Sequence, residues 1–144
     1  MRLRHPDDRH IAPEEMRVFS HVTVGSNDVA KAKSFYDGVG QALGLALLAD
    51  YPSAVAYGRP GGRPQLWILN PLDRKVASVG NGVTIGLEAP DRHAVDAAYK
   101  AGLSAGGKDE GAPGLREHYH PNYYGAYLRD PDGNKICIVC HKPV

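Results

Sequence analysis

The chain has 144 residues, with 17 basic and 16 acidic side chains and a net charge of +1. That balance, without a basic stripe interleaved with aromatics, argues against nucleic acid or an anionic membrane surface as partner. The length suits one domain, no apolar run approaches the roughly 18 residues of a membrane span, and two cysteines make no disulfide framework, so a single cytoplasmic domain over 16–144 is expected.

Residues 1–15 are polar and unpatterned, carry Pro6 and Pro13, and lack the apolar core of a secretory signal, so they read as a tail. Residues 19–24 are rich in β-branched side chains and predict a strand. Asp28 reads as a helix N-cap, after which Val29, Ala32, Phe35, Tyr36, Val39 and Leu43 recur at helical spacing. Gly38 and Gly40 each cost that helix about 1 kcal/mol relative to alanine, which makes its C-terminal half the weak part. Gly44 reads as its stop. Three short apolar runs follow, at 45–48, 54–57 and 65–69, divided by residues 50–53 and by the turn-rich 58–64. Residues 71–81 read as a polar linker.

The pattern then restarts. Residues 83–87 predict a strand and Asp91 a second N-cap. Ala94, Val95, Ala98, Tyr99 and Ala101 form the apolar stripe, and Gly102 reads as the stop. Residues 106–121 read as a long loop. Residues 123–128 and 135–140 predict a hairpin around Asp130-Pro131-Asp132-Gly133, with proline where a type I turn takes it and glycine where the chain must turn left-handed.

The halves share a register. Asp91 follows Asp28 by 63 residues, Tyr99 follows Tyr36 by the same offset, and Val22 and Val24 fall on Ile85 and Leu87. An offset common to cap, stripe and strand predicts a duplicated unit. The expected fold class is α+β: two βαβββ modules, at about 17–71 and 82–142, forming curled mixed sheets around a central groove. Inward side chains of both modules would line that groove, a usual kind of place for a small ligand.

The segments His21-Val-Thr-Val, Asp28 seven residues on, and Ser34-Phe35-Tyr36-Asp37 come first. Tyr124-Gly-Ala-Tyr-Leu-Arg-Asp130-Pro-Asp-Gly-Asn-Lys-Ile136 stands at the far end. Together they resemble the vicinal oxygen chelate superfamily, which includes glyoxalase I, the extradiol dioxygenases, and the bleomycin and fosfomycin resistance proteins. The resemblance covers residues 17 to 142, and the terminal hairpin is its most specific piece. It implies paired βαβββ modules, a homodimer, and often a divalent metal held by one residue from the first and one from the last strand of each module. On this sequence those positions fall on His21, on Gln65 or Trp67, on Thr84 and on Cys137. Metal-binding relatives usually carry His where Thr84 stands and Glu where Cys137 stands. A neutral threonine and a protonated thiol are poor ligands for a hard divalent ion, and zinc takes at least three firm protein ligands. His21 is then the one clear metal ligand left.

The expectation is a small-molecule-binding protein without the full metal quartet. The alternative is a metal-dependent lyase, isomerase or dioxygenase with a rearranged set, holding Zn, Ni, Mn or Fe through His21 and loop histidines. Candidate catalytic residues are His21 and His120, either of which could act as a general base. Candidate substrate contacts are Tyr57, Gln65 and Trp67 in the first half. Those in the second are Arg116, His118, His120 and Tyr124, which with Tyr123 and Tyr127 form a cluster suited to an anionic or phenolic ligand. Cys137-Ile-Val-Cys140-His141 matches the haem-attachment spacing, but residues three apart on a strand face opposite ways. No haem and no redox pair is expected, and both cysteines read as small apolar packing groups. No Ser-His-Asp order, phosphate loop or carboxylate pair stands out.

Overall fold

A computed structural model describes residues 18–144; the segment 1–15 lies outside the described residues. The first module comprises β1 (Val22–Gly25), α1 (Val29–Leu43), β2 (Ala46–Tyr51), β3 (Ala54–Gly58) and β4 (Leu66–Leu69). The second comprises β5 (Ile85–Glu88), α2 (Arg92–Ser104), β6 (Lys108–Leu115), β7 (Tyr124–Arg129) and β8 (Lys135–Cys140). Each forms a four-stranded mixed sheet, ordered β1-β4-β3-β2 and β5-β8-β7-β6. In both sheets the first strand runs parallel to the last, with Val22 opposite Leu66 and Ile85 opposite Ile136. The offset of 63 is therefore a repeat of topology as well as of sequence.

The caps form as the residue types require. Asp28 accepts from the Lys31 N–H at 3.1 Å, and Asp91 from the Ala94 N–H at 2.7 Å. Gly44 closes α1 in the left-handed region, at φ 77, and the Leu45 N–H donates back to the Gly40 carbonyl. The helix runs intact through Gly38 and Gly40, where an added Cβ would meet only ordinary contacts. A Cβ on Gly38 would lie 3.4 Å from Ala101 Cβ, and one on Gly40 3.4 Å from Leu45 Cβ.

Three sequence expectations are corrected. Helix α2 does not stop at Gly102: it continues to Ser104, and Gly106, at φ 92, makes the left-handed step. Gly102 serves packing instead, since an added Cβ there would sit 2.7 Å from Leu128 Cδ1 and 3.0 Å from Phe35 Cε2. Strand β2 includes Asp50 and Tyr51, leaving only Pro52 and Ser53 as the hairpin turn. The stretch 106–121 is not all loop, because β6 pairs with β7 across it. Its Gly- and Pro-rich sequence has no alternation to betray a strand. It is an edge strand with register shifts around Gly111, and Pro113 falls in the second shift, where no ladder bond is needed.

One core serves both modules. Phe35, Tyr36 and Ile68 of the first pack in the same cluster as Leu128, Ile136 and Ile138 of the second. Helices α1 and α2 lie against each other, whereas the two sheets share no ladder. Alternation then sorts the strands: Val22, Val24, Leu66 and Ile68 belong to the core, so Thr23 and Trp67 point away from the helices. In the second module Ile136, Ile138 and Cys140 belong to the core, so Cys137 points away.

The modules are joined at the β7–β8 turn. Asp130 is buried and accepts from the Tyr36 hydroxyl at 2.7 Å, from the Asp132 and Asn134 N–H groups at 2.9 Å each, and from the Asn134 side-chain amide at 2.9 Å. Asn134 also donates to the Gly25 carbonyl at 3.0 Å, and Asp132 accepts from the Asn27 N–H at 2.7 Å. Burial, and then the Asp130 charge, push the Tyr36 phenol well above its ordinary range.

Tyr36→Phe should lower unfolding stability by about 2 kcal/mol, the scale of a hydrogen bond to a charged group, and Asp130→Ala by about 3 kcal/mol or more. Urea denaturation measures both, and the double variant should cost less than the sum. Strict additivity would show that the Tyr36–Asp130 bond does not couple the modules. Gly102→Ala should destabilise by about 1–3 kcal/mol through overpacking, despite the helix-propensity gain, whereas Gly38→Ala should be neutral or stabilising by up to about 1 kcal/mol. An equal gain at both sites would remove close packing as the reason for Gly102.

Candidate functional site

Strands β1 and β5 are sheet edges, and a cavity of about 1020 Å³ opens beside them between the modules. The first module contributes His21, Tyr57 and Gln65, and the second contributes Leu87, Glu88 and Lys142. The parallel pairing of β1 with β4 explains the first set. The Val22 N–H donates to the Gln65 carbonyl at 2.8 Å, so His21 and Gln65 stand side by side where their strands begin. The Ser20 hydroxyl lies 3.0 Å from His21 Nδ1, a hydrogen bond that engages that nitrogen and leaves Nε2 for a ligand. Tyr57 borders the cavity from within the core, buried, with its hydroxyl donating to Asp37 at 2.7 Å. Burial and the Asp37 carboxylate raise the Tyr57 phenol far above its ordinary value, so it stays protonated.

The other sequence candidates lie elsewhere. Trp67 is half-buried on the face of sheet one that points away from α1, and Thr84 is exposed just before β5. Cys137 is buried on the corresponding face of sheet two, where its sulfur is 3.3 Å from the Tyr123 hydroxyl. That hydroxyl is also 2.9 Å from the hydroxyl of Tyr127. Burial and then the bond to Cys137 raise the Tyr123 phenol, so Tyr123 stays protonated. Arg116 donates to the Ala112 carbonyl at 2.8 Å and stands 5.8 Å from the Tyr127 ring. His118 packs on Tyr119 at 4.2 Å between ring centres. Tyr124 is turned towards α2, with its hydroxyl donating to Asp96 at 2.7 Å and Arg92 over its ring. None of these residues lines the cavity.

His120 makes a contact that the sequence did not foretell. Its Nε2 is 2.8 Å from His141 Nδ1, with ring centres 5.1 Å apart and planes tilted by 28°. Such a separation means that the rings meet end to end. The Asn122 N–H donates to His120 Nδ1 at 3.1 Å, so Nε2 carries the proton and donates it to His141. The loop 116–123 is thereby tied to the C-terminal segment. Among the described residues, no group of three or more His, Cys, Asp or Glu is disposed to hold a metal ion, and no helix is long and apolar enough to cross a membrane.

Sequence reasoning missed Arg59, Glu88 and Lys142 of the cavity, and it placed Tyr123 with the ligand contacts rather than beside Cys137. Arg59 lies in a turn, and Lys142 follows the last strand, so neither belongs to a periodic pattern. Only the β5–β8 pairing, which puts Glu88 opposite Val139, brings Lys142 to this side of the molecule. The Tyr123–Cys137 contact follows from alternation along that hairpin, which puts residues 123 and 127 on the face of Cys137.

The sequence profile of the Glyoxalase/Bleomycin resistance protein/Dioxygenase superfamily matches residues 18–138. No curated protein matches the chain. Among solved structures, a glyoxalase/bleomycin resistance protein from Albidiferax ferrireducens T118 is 40% identical, with a TM-score of 0.77 over 88% of this chain and all of its own. A glyoxalase-related enzyme from Fulvimarina pelagi is 19% identical, with a TM-score of 0.64 over 87% of this chain and 88% of its own. Lactoylglutathione lyase from Agrobacterium tumefaciens is 21% identical, with a TM-score of 0.54 over 83% of this chain and 90% of its own. The latter two likenesses show the fold alone.

Tyr123→Ala should uncover the Cys137 thiol and leave Cys140, in the core, covered. Iodoacetamide labelling followed by peptide mass spectrometry should show Cys137 modified about tenfold faster in the variant than in the parent. Equal rates would mean that Tyr123 does not shield the sulfur.

Proposed function

The chain belongs to the glyoxalase/bleomycin resistance protein/dioxygenase superfamily, and from that premise we propose that it binds a small organic molecule in the cavity between its modules without the family's metal quartet. The observation that carries this reading is a separation of groups. His21 and Gln65 reach the cavity together, and Thr84 and Cys137, at the other two family positions, do not line it. The chemistry of the donors supports the same reading. Threonine is neutral, and the Cys137 sulfur is engaged by a phenol that burial keeps protonated. A divalent ion would meet one imidazole, one amide and no anionic ligand among these positions, short of what a zinc or calcium-like site assembles.

The ligand would rest on the partly exposed apolar residues Val22, Leu45 and Leu87, with His21 Nε2 and the Gln65 amide as its polar contacts. Buried apolar area with a few convergent polar groups is the usual make-up of such sites. A cytoplasmic homodimer belongs to the same proposal. Among the described residues no helix or strand packs across the faces that carry Trp67 and Tyr127, and a second copy of the chain would cover them.

Thermal unfolding with metal separates this reading from metal-dependent catalysis. One tight equivalent of Zn, Ni, Mn or Fe, at a concentration a hundredfold above its Kd, would raise the melting temperature by about 5 °C or more in a domain of this size. No such rise is expected, and treatment with a chelator should leave the melting temperature unchanged. A stoichiometric rise that disappears in His21→Ala would overturn the proposal.

A further inference from the structure

Resting on the reading of the cavity as the ligand site, we infer that its ligand is an amphipathic organic anion, an apolar body carrying one carboxylate or similar acid group. The walls argue for the apolar body. Val22, Leu45, Leu66 and Leu87 line the cavity with the Tyr57 ring, and Phe19 at its margin is 74% exposed. Val18, exposed beside it, also lines the cavity, so the apolar surface continues out of the recess.

The charges argue for the anion. Arg59 and Lys142 both line the cavity, against one carboxylate, Glu88. The ion pairs among the described residues, Lys33–Asp37 and Arg129–Glu110, use neither cation. Each is presented by a part of the chain that is held in place. Arg59 stands in the β3–β4 turn, where its carbonyl accepts from the Gly62 N–H at 2.9 Å and Gly61 takes the left-handed conformation at φ 75. That turn closes so tightly that a Cβ on Gly58 would lie 2.4 Å from the Arg63 carbonyl oxygen. Lys142 directly follows His141, whose ring is tied to His120, so the chain is anchored one residue before the ammonium group is offered to the cavity. The two cations thus come from different modules. A carboxylate at the cavity would take charge-assisted hydrogen bonds from them and from His21 Nε2, while its chain lies on the leucines. A cationic ligand would find only Glu88, and a small inorganic anion would leave the apolar walls wet.

Calorimetric titration of the full chain with decanoate, decanol and decylamine, three ligands of equal chain length, tests the inference. Decanoate should bind tightest and decylamine weakest. Arg59→Gln and Lys142→Gln, both at exposed positions, should each weaken decanoate about three- to fivefold and leave decanol unchanged. Acetate, which has the head group without the body, should not compete. Decanol or decylamine binding as tightly as decanoate would overturn the anionic class and leave the cavity reading standing. Unaltered decanoate affinity in both variants, or equal competition by acetate, would also overturn the inference. If none of the three ligands binds or shifts the melting temperature, the cavity reading itself falls.

Discussion

The buried carboxylate of Asp130 is the constraint on which the rest of the molecule depends. An ionised group in an apolar core costs several kcal/mol unless its acceptor sites are filled. Here they are filled by four donors, three from its own turn and one, the Tyr36 hydroxyl, from the other module. The turn conformation and the position of α1 are therefore conditions of each other. If α1 slid by one residue, the phenol would leave and the carboxylate would lose a partner it cannot replace from water. Asn134 extends the constraint by sharing its amide between Asp130 and the Gly25 carbonyl, which ties β1 to the same turn. Strand β8 starts immediately after that turn and carries β5 beside it. The two strand edges that border the cavity are thus placed by one acid.

The duplication explains why this junction occurs once. Tyr36 and Tyr99 hold the same place in their modules, and each hydroxyl donates to an aspartate, but the aspartates differ in position. Tyr99 reaches Asp109 ten residues on, at the surface of its own module. Tyr36 crosses to the other module and is buried. The turns have diverged in the same way. The β7–β8 turn, Asp-Pro-Asp-Gly-Asn, faces inward and fastens the modules. Its counterpart between β3 and β4, rich in glycine and arginine, faces the cavity. One repeat supplies the fastening and the other a lip of the proposed site, a division that equal backbones permit because only side chains and loop lengths had to change.

Much of this was legible in the sequence because the signals were local. Asp28 and Asp91 cap their helices through bonds that span three residues, and glycine at 44 and at 133 marks left-handed backbone. The common offset of 63 let each half confirm the other. What escaped reading was tertiary. Gly102 looks like a helix stop, yet its size is set by Phe35 and Leu128 arriving from distant segments. Strand β6 has no alternation, because an edge strand with two register shifts gets its geometry from β7 rather than from its own side chains. At the candidate site the same division holds. His21 and Gln65 could be named from strand position, and they do meet at the cavity. Arg59 and Lys142 could not, since a turn and a chain end carry no period. His120 was named for a possible metal role, but its partner, His141, follows a strand that only the fold brings alongside the 116–123 loop.

The fate of Cys137 links the fold to the proposed chemistry. Cys137 is itself buried, beneath Tyr123, and a carboxylate at that place would be a covered negative charge that needs a cation to be tolerated. A thiol needs none. It joins a chain with Tyr123 and Tyr127 in which every heteroatom has a partner. On the reading proposed here, that exchange moves recognition from the inner sheet face to the cavity beside β1 and β5. Selectivity there must come from shape and from the sign of the rim charges, because no coordination geometry is left to enforce it. Cations at an open rim are screened and individually weak, so the apolar walls carry the affinity and the charges mainly decide which acids and bases are admitted.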